Sequence, residues 1–147
     1  MNKIAWIVGR GALVGLGVGL AVAVVFYKVY VPSPEDPSIS GILHGTMLAS
    51  FPLGAVLALA ARLPRWWLLW ATGPIVAFIL WLPMMVLFAI FGFDETGEAL
   101  SFVPAGALGY AATTWVVSTV ASWWSKLAVI GLIVTVYWLV WEAALLW

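Results

Sequence analysis

The sequence predicts an all-α fold: a polytopic transmembrane helix bundle of five spans, with the amino terminus cytoplasmic and the carboxyl terminus external. Three observations predict it. Hydrophobic residues make up 65% of the 147 and charged residues only 8%, against about 25% charged in ordinary soluble domains. Long uncharged runs recur along the chain, and the few charges are sorted by sign between successive connections. A soluble domain of this length could not hide so much apolar surface in one core, so the outward faces must meet lipid or apolar protein.

A helix needs about 20 mostly apolar residues to cross roughly 30 Å of hydrocarbon. The uncharged runs close to that length place spans at approximately 4–30, 38–62, 66–92, 100–122 and 127–146, within a single domain covering 1–147. Lys3 ahead of an apolar stretch with Ala21-Val22-Ala23 has the look of a secretory leader, but the segment is taken as the first span. Pro32, Pro34 and Pro37 with Glu35 and Asp36 form the first connection, where stacked prolines break helix. Arg62-Leu63-Pro64-Arg65 forms the second, and Asp94-Glu95-Thr96-Gly97-Glu98 the third, which lacks the ligand spacing of a calcium loop and reads as a solvated charged turn. Only Ser122-Trp123-Trp124-Ser125-Lys126 separates the fourth span from the fifth. Four spans plus one tilted or re-entrant segment is therefore the runner-up.

Charge and tryptophan placement test this count independently. Lys and Arg near span ends tend to remain cytoplasmic. With five spans and an inner amino terminus, Lys3, Arg10, Arg62, Arg65 and Lys126 fall inside and only Lys28 outside, while all six acids fall outside. Tryptophan favours the interface, where its ring is half buried and its N–H reaches water. Trp66-Trp67 and Trp123-Trp124 flank the two inner turns, Trp6 lies near the inner end of the first span and Trp147 at the outer end of the last, with Trp70, Trp81, Trp115 and Trp138 deeper.

Span by span, a few residues are costly in lipid. Gly11, Gly15 and Gly19 strip one face of the first helix, a packing device of the GxxxG kind. Arg10 lies inside the apolar stretch; its stem could snorkel to the headgroups, or with Arg62 and Arg65 it could hold an anion or lipid phosphate at the inner surface. Lys28, His44 and Glu142 converge at the outer end, as an ion pair or as a proton or cation site, since histidine titrates near neutral pH. Tyr110, Thr114, Ser118 and Ser122 line one face of the fourth helix, suiting either packing or a polar pathway. Pro52, Pro74, Pro83 and Pro104 should kink or unwind their helices. A similarity between 50–55 and 101–107 would suit a duplicated hairpin, although so biased a composition produces such matches by chance.

No cysteine is present and His44 is the single histidine, which removes disulfides, thiolate sites and paired-histidine metal motifs. No metal site and no catalytic residues are expected. Bound lipids are the expected companions, with a pigment or haem on His44 a remote option. Zero net charge gives no field for nucleic acid. The expected function is that of an accessory or scaffold subunit of a larger membrane assembly, partnered by the bilayer and by other transmembrane subunits or copies of itself. The alternative is a small oligomeric transporter or channel using the fourth helix's hydroxyls and the outer Glu/His site. An enzyme acting on lipid ranks third, for want of any catalytic signature.

Overall fold

The computed structural model describes the backbone of residues 2–30, 39–93, 95–120 and 122–145; within those segments the side chains at 29, 30, 39–44, 95, 96, 98, 130, 134, 137 and 140–145 lie outside the described set. Five long helices and one short one make up the fold, with no strand among the described residues. They are α1 (Lys3–Tyr30), α2 (Ile39–Ala60), α3 (Trp66–Ile90), α4 (Glu95–Leu100), α5 (Phe102–Thr119) and α6 (Trp123–Leu145).

Local chemistry sets most of these boundaries. Asn2 caps α1: the Ile4 N–H donates to Asn2 Oδ1 at 3.1 Å, satisfying one of the orphan amides of a first turn. At the end of α2 the Arg62 N–H donates to the Leu59 carbonyl and the Leu63 N–H to the Ala58 carbonyl, the paired bonds of a Schellman cap. That motif needs a left-handed residue, and Arg62 supplies it at φ 49°. The same cap closes α3, where Gly92 N–H bonds the Ala89 carbonyl and Phe93 N–H the Phe88 carbonyl, with Gly92 at φ +76°. Phe93 folds back onto Phe88 with ring centroids 5.2 Å apart.

α5 is the shortest of the five long helices and the most enclosed. α1 packs along it most extensively, and α3 covers its other side. Its buried residues include Ala105, Gly106, Gly109, Tyr110, Thr113, Thr114 and Val117, whereas α1 turns Leu13, Leu16, Leu20 and Val24 outward. Small and hydroxylated residues occupy the centre while large apolar ones face the surroundings. α2 fills the angle between α1 and α3, and α6 packs on α3. Ring and lining contacts run Gly11 to Thr114 and Gly19 to Phe102, so α1 and α5 are antiparallel. The first turns of α3 and α6 meet, Trp67 packing on Trp123 at 5.5 Å, and further along both helices line one cleft, so those two leave the same end of the bundle.

Two helices, over Lys3–Lys28 and Trp66–Ile90, are long and apolar enough to cross a membrane. The shorter apolar stretches of described residues are Gly45–Ala60 in α2 and Trp123–Ile133 in α6. The third connection differs from expectation: α4 is helical over Glu95–Leu100, because Glu, Ala and Leu favour helix and the chain reversal is already completed at Gly92. The fourth also differs. α5 ends at Val120, which turns extended at ψ 114°, and Lys126 lies in the first turn of α6 instead of in a loop. Pro52, Pro74 and Pro83 sit inside helices that continue through them. Pro104 falls in the first turn of α5, where its missing N–H has no partner to lose.

Candidate functional site

Two of the sequence-derived features face each other. Gly11, Gly15 and Gly19 of α1 lie directly on α5: a methyl at Gly11 would overlap the Thr114 side chain, one at Gly15 the Gly106 carbonyl, and one at Gly19 the Phe102 carbonyl. Reciprocally, a methyl at Gly106 would overlap the Gly15 carbonyl. The backbones therefore approach as closely as peptide groups allow. Only glycine permits this, and its cost in chain entropy is offset by dispersion contacts along both helices.

The hydroxyl stripe of α5 is enclosed by that approach. Tyr110 is 0% exposed, with its ring against Gly73 of α3 and its hydroxyl against Gly54 of α2. Thr114 Oγ1 rests on Gly11. Several hydroxyls in the bundle bond back to the preceding turn: Thr72 donates to the Leu68 carbonyl at 2.7 Å and Thr113 to the Gly109 carbonyl at 2.8 Å, as is usual in apolar surroundings. Tyr110 Oη, Thr114 Oγ1, Ser118 Oγ and Trp81 Nε1 are buried without a hydrogen-bond partner. Three of the four predicted stripe members thus form a column of unsatisfied oxygens. Ser122 does not join it: α5 ends three residues earlier, and the Ser122 carbonyl accepts the Lys126 N–H at 3.2 Å at the start of α6.

The second locus lies at the end of the bundle where α2 meets α3 and α5 meets α6. Arg65 Nη1 donates to the Val117 carbonyl at 2.9 Å, so its cation caps the last turn of α5, where carbonyls are unpaired and the helix dipole is negative. Lys126 is 4% exposed and close enough to Arg65 for the two charges to repel. Sequence reading placed Lys126 in a loop and left it out of any site. The signal was present as the spacing Lys126, Val129, Ile133, one helical face that lines a cleft with Leu68, Thr72 and Val116. Arg62 is exposed beside Arg65 and Arg10 is partly exposed on α1; no hydrogen bond joins either to Arg65 among the described residues. Trp67 and Trp123 pack at 5.5 Å at the same end.

At the opposite end Lys28 is exposed and borders a groove with Tyr27, Ala99 and Leu100. The side chains of His44 and Glu142, its expected companions, lie outside the described residues. Phe102 gathers the aromatic residues there, stacking on Trp81 at 4.8 Å and meeting Phe26 and Phe78 at 5.3 and 5.8 Å. No group of three metal-ligating side chains comes together among the described residues. No protein-family model, curated protein or solved structure matches the chain.

Proposed function

We propose that the chain is a five-span membrane protein, its amino terminus cytoplasmic, that serves as a scaffold or accessory subunit of a larger membrane assembly and acts through helix contact. The observation that carries this reading is the polarity of the bundle. Its hydroxyl-rich helix, α5, is enclosed by glycine-mediated approach of α1 and by α3, while Leu13, Ile90 and Trp124 stand 69%, 74% and 78% exposed. An apolar exterior around a small-residue interior suits association in lipid, where close packing replaces the hydrophobic effect as the driving force. The outward faces of α1 and α6 are then surfaces for other transmembrane chains.

A transporter or channel is the second reading, favoured by the column Tyr110, Thr114, Ser118. Unsatisfied oxygens in an apolar interior are costly, and such groups mark pathways in transport proteins. Glycine closure of α1 over the column argues for the scaffold. Native mass spectrometry of the protein extracted gently from its membrane separates the two. Stoichiometric companion chains of other sequence support a subunit; a homo-oligomer or monomer carrying a proton-driven flux in liposomes, lost in Thr114→Val, overturns it.

A further inference from the structure

The cleft between α3, α5 and α6 combines an apolar wall with a cationic end. Leu68, Val76, Ala112, Val116, Val129 and Ile133 line a space of about 120 Å³ that opens to the surroundings, and Lys126 lines it with them. Arg65 is tied to the same cleft through its bond to Val117, another residue of the wall. A lysine little exposed in an apolar cleft, with an arginine bonded to the same wall at Val117, favours an anion there. No acidic side chain lines the cleft among the described residues.

We infer that this cleft holds one anionic phospholipid of the inner leaflet, its phosphate bridging Lys126 and Arg65 and part of one acyl chain lying along the wall of α3 and α6. The inference rests on the membrane reading above. Charge complementarity selects an anion, and the apolar continuation below the cations selects an amphiphile over a free ion. Position agrees, because Trp66, Trp67, Trp123 and Trp124 surround the same end and tryptophan settles at headgroup depth. Arg65 can serve both partners, since a guanidinium carries five N–H donors in a fixed fork and only Nη1 is engaged by Val117. The lipid would thereby also brace α6, which packs on the bundle chiefly through α3.

The full chain in nanodiscs of equal parts phosphatidylglycerol and phosphatidylcholine with matched acyl chains, released into the gas phase, tests this. One phosphatidylglycerol per chain should be retained at least about tenfold over phosphatidylcholine, the discrimination expected from one charge-assisted hydrogen-bonded pair. Lys126→Met should lose most of that preference and Lys126→Arg keep it. Ala112→Trp, at an exposed position of the cleft, should lose it with both cations intact, which separates a cleft from diffuse attraction to a basic surface. Lys3→Met, at the same end but outside the cleft, should change nothing. Equal retention of the two lipids, indifference to Ala112→Trp, or a second copy of the chain occupying the face would overturn the inference. A chain that does not enter nanodiscs at all would instead overturn the membrane reading beneath it.

Discussion

Arg62 and Gly92 occupy equivalent positions in two Schellman caps, yet only one is the residue the backbone prefers. A side chain in the left-handed region costs about 1–2 kcal/mol, partly offset in Arg62 because glycine would lose more entropy on folding. Arg62→Gly should therefore raise stability by about 0.5–1 kcal/mol, read as a higher midpoint of thermal unfolding in detergent micelles, and Gly92→Ala should lower it by about 1 kcal/mol. On the proposed topology Arg62 belongs to an inner turn, so its replacement should also weaken the positive bias of that turn. The unsatisfied hydroxyls make a second residue-scale case. An oxygen buried without a partner costs stability instead of adding to it, so its removal should not destabilise. Tyr110→Phe and Thr114→Val should each leave unfolding within about 1 kcal/mol of the parent; a loss of several kcal/mol would mean that these oxygens hold an ordered water or a ligand.

At the scale of elements, the α1–α5 contact decides whether the bundle forms. Gly15 faces the Gly106 carbonyl, and a backbone atom cannot step aside, whereas a methyl at Gly9 meets nothing within 4 Å. Overpacking of a tight interface costs about 1–3 kcal/mol, so Gly15→Ala should destabilise by that amount. Gly9→Ala, on the same helix, should be neutral or stabilise by up to about 1 kcal/mol through propensity alone. Equal effects of the two would show that α1 does not pack on α5 through this face. The glycine spacing and the hydroxyl spacing were both legible in the sequence, since each obeys the four-residue period of a helix face. That they face one another was not, because pairing between helices leaves no mark on either one alone. Boundaries without glycine or proline were equally silent. α5 stops at Val120 and α6 begins at Trp123 with no breaker between them, so Ser122 was counted into a stripe that had already ended and Lys126 was given to a loop. α4 was hidden for the opposite reason: its acids suggested a solvated turn although Glu95, Glu98, Ala99 and Leu100 are competent helix formers.

For the whole molecule, the proposed topology rests on the distribution of cations across the two ends. The connection at 61–65 and the start of α6 hold Arg62, Arg65 and Lys126, and seven of the eleven tryptophans, at 6, 66, 67, 70, 115, 123 and 124, gather toward the same end. Antiparallel pairing of α1 with α5 and the meeting of the starts of α3 and α6 at Trp67 and Trp123 bring the helix starts and ends into this arrangement without reference to any membrane, so the charge rule and the helix directions are separate lines of argument. The charge rule predicts an odd number of crossings. Single cysteines can be introduced freely because the chain has none. At Ser33, Pro64, Thr96 and Ser125 they should react with an impermeant maleimide in intact cells in the order outside, inside, outside, inside. Labelling of Ser125→Cys from outside would leave four spans with α5 as a re-entrant segment, and would strip the cleft at Lys126 of its place in the inner leaflet. Converting Arg62 and Arg65 together to Gln should, on the same logic, leave mixed labelling at Pro64→Cys, because juxtamembrane Lys and Arg set orientation while acids contribute little.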